Sequence, residues 1–139
     1  MSLLLDTNVL SDLRRNRPGN AVLFDWRERV QAEPKYISVV SILELEFGVL
    51  QAEHRQQGNA AALRRWLDTI VIPGFAGATI SVDVQIALAC AKLQRIRTLP
   101  ANDALIAATA LVHNLTIVTR NTADFAGLGV ELVNPWVTG

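Results

Sequence analysis

At 139 residues, half of them hydrophobic, the chain is long enough for one domain with a real core and too apolar for a disordered segment. A formal net charge of zero excludes a protein that coats nucleic acid by bulk charge, but leaves room for a local basic rim. The lone Cys90 excludes an intrachain disulfide and a thiolate zinc cluster, and its small-residue surroundings mark it as a core thiol.

The chain opens with Leu3-Leu4-Leu5, an apolar run that stops at Asp6, Thr7 and Asn8. Without polar alternation, such a run reads as a strand buried on both faces. In open parallel sheets the ligand crevice lies just past the carboxyl ends of such strands, which puts Asp6 where chemistry is done. A short helix over residues 9–15 follows, broken by Pro18-Gly19. A second helix, about 20 to 31, places Leu23, Trp26, Arg27 and Val30 on one stripe. Residues 36–39 read as the second strand and about 42 to 56 as a long helix. Gly58-Asn59 separates that helix from another over 60–67. The β-branched run 69–72, closed by Pro73-Gly74, reads as the third strand, and 73–79 as a loop.

Ser81 is the expected cap of a helix over 82–95. The helix over 103–113 carries Ala104, Ala107, Ala108 and Leu111 at helical spacing, a face suited to close packing. Residues 115–119 and 130–133 read as the fourth and fifth strands. Strands alternating with helices, without two-residue hairpins, imply parallel crossovers. The expected fold is one doubly wound α/β domain over residues 1–139, a parallel sheet of about five strands with helices on both faces. With no signal peptide before Asp6 and no apolar run of membrane-spanning length, a soluble cytoplasmic protein without membrane contact is expected.

Glu44, Asp103 and Asp124 resemble Asp6 in position: each follows a strand end or sits in the first turn of a helix. Each also has a plainer role open to it. Asp103 could serve only the amino terminus of its helix, and Asp124 could be an ordinary turn residue. Glu46, two residues from Glu44, faces about the opposite way on a helix and is the one expected to point to solvent. Asp6 is hardest to explain as structure, because three leucines lead into it. Brought into one cleft, four carboxylates repel one another and their pKa values rise unless a cation intervenes. Mg²⁺ or Mn²⁺, hard and oxygen-seeking, suits them, and such an ion can activate water and offset charge on a phosphoryl group. No nucleophile with a partnered base is apparent, since His54 and His113 lie in helical contexts.

Four segments together resemble the PIN-domain family, and within it the VapC-type ribonuclease toxins of toxin–antitoxin pairs. They are Leu4-Leu5-Asp6-Thr7-Asn8-Val9-Leu10-Ser11, Glu44-Leu45-Glu46-Phe47-Gly48, the run from Asn102 to Ala110, and the run from Val118 to Phe125. The resemblance implies a Mg²⁺- or Mn²⁺-dependent endoribonuclease with metal-binding acids at Asp6, Glu44, Asp103 and Asp124. It also implies supporting roles for Thr7, Asn8, Thr119 and Asn121. Some relatives carry an acid where this chain has Asn121, which bears on a second metal. A homodimer and a cognate VapB-like antitoxin, reaching the acidic cleft with a basic side chain, are implied as partners.

Acids alone repel RNA, so cations must draw it in. Eleven of the thirteen basic residues are Arg, the residue suited to bidentate phosphate contacts. Arg14, Arg15, Arg17 and Arg120, which follow the first and fourth strands, are the candidates. Two rival readings stay open at this point. One is a phosphatase using Asp6 as nucleophile, although Asn8 stands where such enzymes carry a second Asp. The other is a binding protein with a degenerate cleft. Trp26 and Trp66 are expected to fill a core edge or interface, and Trp136 could stack a base. Phe24, Phe47 and Leu50 could line a partner groove or belong to the core.

Overall fold

The computed structural model describes residues 1–15 and 17–137. Residues 16, 138 and 139, part of the expected domain, lie outside the described ones. Strand β1 (Leu3–Leu5) runs into helix α1 (Thr7–Arg14), and a 3₁₀ turn (Pro18–Asn20) leads to α2 (Ala21–Arg29). Strand β2 (Lys35–Ser38) passes without a loop into α3 (Val39–His54), and α4 (Ala60–Trp66) follows. Ser38 makes that abrupt junction possible: it ends the strand, and its hydroxyl accepts from the Val40 amide at 3.0 Å as a helix cap.

The run 69–72, expected as a strand, is helical. It lies in a wide π-type turn (Leu67–Val71) that continues α4 into the single turn α5 (Ile72–Gly74). Leu67 and Val71 are buried four residues apart while Ile70 and Ile72 are exposed. Burial at helical spacing overrides the local β preference of Thr-Ile-Val-Ile. The third strand is instead β3 (Thr79–Ile80), at the end of the stretch expected to be a loop. Helix α6 (Val84–Ile96) is capped by Asp83, not Ser81; its carboxylate accepts from the Ile86 amide at 2.9 Å. Helix α7 (Ala101–His113), strand β4 (Thr116–Val118), the short helix α8 (Thr122–Phe125) and strand β5 (Leu132–Val133) complete the order.

All strand pairs are parallel and the order is β3-β2-β1-β4-β5. The central strand β1 divides two cores. Leu3 and Leu5 face one way, with Leu23 and Trp26 of α2, Val9 of α1 and Val49 of α3. Leu4 faces the other, with Ile86 and Cys90 of α6, Ala104, Ala107 and Ala108 of α7, and Phe125. Alternate residues of a strand point to opposite faces, so one leucine triplet supports both layers. The alanines let α7 lie close to the sheet and to α6, while Leu111, expected on the same face, is exposed at its end. Among the described residues no helix is long and apolar enough to cross a membrane.

Sheet order also places the functional edge. The chain leaves β1 toward β2 on one side and returns to β4 on the other. The β1–β4 boundary is therefore where strand direction in the sequence reverses, and clefts open beyond the carboxyl ends at such points.

Candidate functional site

Asp6 and Thr119 are the first residues past β1 and β4, side by side at that boundary. The Asp6 amide donates to the Val118 carbonyl at 2.9 Å, so the sheet pairing fixes where the carboxylate begins. Its Oδ1 accepts from the Thr7 amide at 2.9 Å, and Oδ2 from Thr119 Oγ1 at 2.8 Å and Asn8 Nδ2 at 3.1 Å. Asp6 thus caps α1, which gives the carboxylate a structural role as well, with the positive end of the helix dipole beside it.

The Asn8 amide group also donates to Thr119 Oγ1 at 3.1 Å, while its Oδ1 accepts from the Arg120 amide at 3.1 Å. Asn121 contributes its backbone, donating to Thr119 Oγ1 at 3.1 Å, and its side chain is exposed. Thr7 links the first acid to the second: its hydroxyl donates to Glu44 Oε1 at 2.6 Å, and the Ser41 hydroxyl lies 2.9 Å from Thr7 Oγ1. Ser41 was not singled out from the sequence. Its position three residues before Glu44, on the same helix face, was the available signal.

Asp103 sits in the first turn of α7, and Asp124 in the first turn of α8. Repulsion felt at Asp6 and Asp103 links all four acids. Burial pushes the Asp6 carboxyl up from its ordinary range, against the Thr119 and Thr7 hydrogen bonds, and Glu44 and Asp124 push it further. Burial likewise raises Asp103, followed by repulsion from Asp6, Asp124 and Glu44. Asp6 and Asp124 therefore lie on one side of the molecule and within electrostatic reach. Among the described residues, no three carboxylates already form a closed ion-binding group. The four are near enough for their charges to act on Asp6 and Asp103. The donors are all hard oxygens, and Arg97 is the one cation set against their charge at Asp103, which leaves an excess that fits a hard divalent ion.

Glu46 points elsewhere. It forms a two-pronged pair with Arg64 at 2.7 and 2.8 Å, which ties α4 to α3. That bond holds the Glu46 carboxyl below its usual range, and the same pair raises the guanidinium of Arg64. Arg97 is the counterpart on the other side. It binds the carbonyls of Ala126 (2.7 Å) and Asp124, anchoring the α8 turn, and is the one cation that draws Asp103 downward. Nothing in the local sequence marks Arg97; its role depends on α6 ending beside α8.

The Arg120 side chain lies 4.1 Å from the Trp136 ring centroid and 3.6 Å from Asp12. Arg14 lies 5.7 Å from the Trp66 ring centroid. Trp26 is in the core as expected, and Phe47 and Leu50 are exposed rather than buried.

A family model described as PIN domain matches residues 3–130. The chain belongs to the PIN domain family. This PIN domain is 36% identical over 140 residues to plasmid stability protein StbB of Pseudomonas syringae pv. tomato, covering 96% of this chain and 98% of that protein. It is 31% identical over 139 residues to VapC ribonuclease Y4jK of Sinorhizobium fredii, covering 96% and 97%. The crystal structure of FitAcB from Neisseria gonorrhoeae superposes with a TM-score of 0.85 at 32% identity, covering 98% of this chain and 99% of that one. The five-stranded parallel order and the two helical layers are thus those of PIN-fold relatives over nearly the whole chain.

Proposed function

We propose that this PIN domain is a divalent-metal-dependent endoribonuclease, the toxin of a VapC-type toxin–antitoxin pair. The reading rests above all on the convergence of Asp6, Glu44, Asp103 and Asp124, from four separate parts of the chain, near enough that the others push the Asp6 and Asp103 carboxyls up. The name of the Sinorhizobium relative, a VapC ribonuclease, supports the same reaction class. Asp6, Asp103, Asp124 and Glu44 would hold Mg²⁺ or Mn²⁺. When bound, such an ion supplies an activated water and offsets charge on the scissile phosphate.

The rest falls to the protein's own side chains. Thr119, Asn8 and the Thr7 amide hold the Asp6 carboxylate in one orientation. Thr7 steers Glu44, and Arg97 keeps the α8 turn, with Asp124, in place. Carboxylates fixed in this way need little reorganisation when charge builds up at the phosphate. The cationic side chains Arg14 and Arg15 flank the approach.

As partners, an RNA substrate, a VapB-like antitoxin and a second copy of the chain follow from the toxin reading. A basic antitoxin side chain placed among these acids would relieve the same repulsion as the metal. The stripe of Leu43, Phe47 and Leu50, exposed on α3, supports a surface for the second copy. A phosphatase using Asp6 as nucleophile fits less well, since Asn8 uses its amide to bind Asp6 and Thr119 and cannot act as an acid.

The test is cleavage of single-stranded and structured RNA in Mg²⁺ and in Mn²⁺ by the wild type, Asp6→Asn and Asp103→Asn. Loss of at least a hundredfold in rate in both variants is expected, and full cleavage by either would refute the assignment.

A further inference from the structure

A cavity opens beside Glu44 and runs one helical turn along α3. Its volume is about 200 Å³, and Thr7 and Glu44 form its near end. Arg14 of α1, Arg15 just past its end, Gly48 of α3 and Trp66 of α4 line the rest. At about 1.5 Å of rise per residue, the four residues from Glu44 to Gly48 span roughly 6 Å. That is the scale of the separation between a nucleotide's phosphate and its base.

Three features suggest an occupant. Gly48 lies in the middle of a 16-residue helix, where glycine weakens the helix relative to alanine. An added Cβ there would meet nothing within 4 Å, so packing against the protein does not require the glycine. Its effect is to keep the cavity wall open. Secondly, Arg14 has no ion pair among the described residues, lies against the Trp66 ring, and stands beside Arg15, whose link to Asp12 is loose at 3.8 Å. A cationic wall in the same cavity as Glu44 is arranged for an anion that passes from one to the other. Thirdly, the α3 and α4 walls are already clamped by Arg64, which bridges Glu46, Glu53 and Asp68, so the cavity needs no closing movement.

We propose that this cavity seats one nucleobase of the RNA, next to the phosphate under attack, with Trp66 as its stacking face and Arg14 contacting the adjoining phosphate. The assignment rests on the ribonuclease reading and deepens it: the cavity is where base preference at the cut is set. Its volume is below the roughly 300–1,000 Å³ of sites that enclose whole ligands, which suits a single ring system. Stacking on an aromatic side chain accepts any base, so discrimination would come from the cavity's depth at Gly48 and from its polar rim.

The experiment compares wild type, Gly48→Leu, Trp66→Phe and Trp66→Leu on single-stranded RNA randomised over eight positions, and then on the oligonucleotides the wild type favours. Leucine at 48 fills the cavity and is the better helix former, so its melting temperature serves as a check on folding. Gly48→Leu and Trp66→Leu are expected to raise KM at least tenfold and leave kcat within about threefold, and Gly48→Leu to flatten the preference at one position beside the cut. Trp66→Phe is expected to keep both. Wild-type KM and base preference in Gly48→Leu and Trp66→Leu would overturn the proposal. So would a Gly48→Leu protein that cuts RNA normally but escapes inhibition by the co-expressed antitoxin, since a protein segment would then fill the cavity. A wild type that cuts no RNA in either metal fails the ribonuclease reading instead. The cavity is then judged by quenching of tryptophan fluorescence with the four nucleoside monophosphates. Quenching that disappears in Trp66→Phe and Gly48→Leu supports it, and no quenching in the wild type overturns it.

Discussion

Thr119→Val removes one hydroxyl and almost no volume, at a residue with no exposed surface. That hydroxyl donates to Asp6 Oδ2 at 2.8 Å and accepts from Asn8 Nδ2 and the Asn121 amide, each at 3.1 Å. A hydrogen bond to a charged group contributes about 1.5–3 kcal/mol, and leaving its buried partners short adds to that. The expected loss at pH 7 is about 2–4 kcal/mol. Thr119→Ser keeps the hydroxyl and loses one buried methyl, which costs about 1 kcal/mol.

The pH dependence separates this account from simple packing. Burial raises Asp6 above its ordinary 3.8, and the Thr119 bond is the largest influence opposing that rise. An acid whose native pKa is raised contributes stability below its unfolded pKa and loses it as pH climbs through the native value. Removing the Thr119 hydroxyl raises the native value further, so the penalty is greatest where Asp6 is ionised. As pH falls through the raised native value, Asp6 protonates in both proteins, and the difference between them should shrink by at least half. Urea unfolding at pH 7 and pH 4 measures both, with an unchanged slope as the control for a common denatured state. A loss under 0.5 kcal/mol at pH 7, or the same loss at both pH values, would refute the reasoning.

Further outcomes follow from the same contacts. Asp103→Asn removes a carboxyl that burial and three other acids raise, so the metal-free protein should gain stability at pH 7, on the order of 0.5–1 kcal/mol in urea unfolding, while losing cleavage. By the same sign, the metal-free wild type loses the Asp6 and Asp103 contribution as pH rises through their raised values. Mg²⁺ at a hundredfold excess over its Kd should stabilise the wild type by about 2.7 kcal/mol, seen as a rise in Tm, and stabilise Asp6→Asn far less. Leu4→Ala, at a position with no exposed surface between α6, α7 and the sheet, should cost about 2–5 kcal/mol with little change in metal binding.

The strand that carries Asp6 was legible because burial on both faces demands an unbroken apolar run, and Leu3-Leu4-Leu5 stops at a carboxylate. What that run conceals is the division of labour between Leu4 and its neighbours, since identical residues cannot show which core each one faces. The run 69–72 misled because β-branched residues favour strands, whereas Leu63, Leu67 and Val71 were already spaced for a helix packed on the second core. Strand β3 escaped notice because two residues carry too little pattern to register. The four acids were legible as candidates from their places past a strand end or in the first turn of a helix. Thr119 was legible for the same reason. The Arg14–Trp66 wall and Arg97 were not, because their partners come from helices whose packing no local pattern specifies.

The most direct measurement of the central claim is a carbon-13 titration of the side-chain carboxyls, with and without Mg²⁺. Asp6 and Asp103 should titrate above the ordinary carboxylate range in the metal-free protein, and well below it in saturating Mg²⁺. Ordinary titration of both groups, unmoved by the ion, would contradict the account.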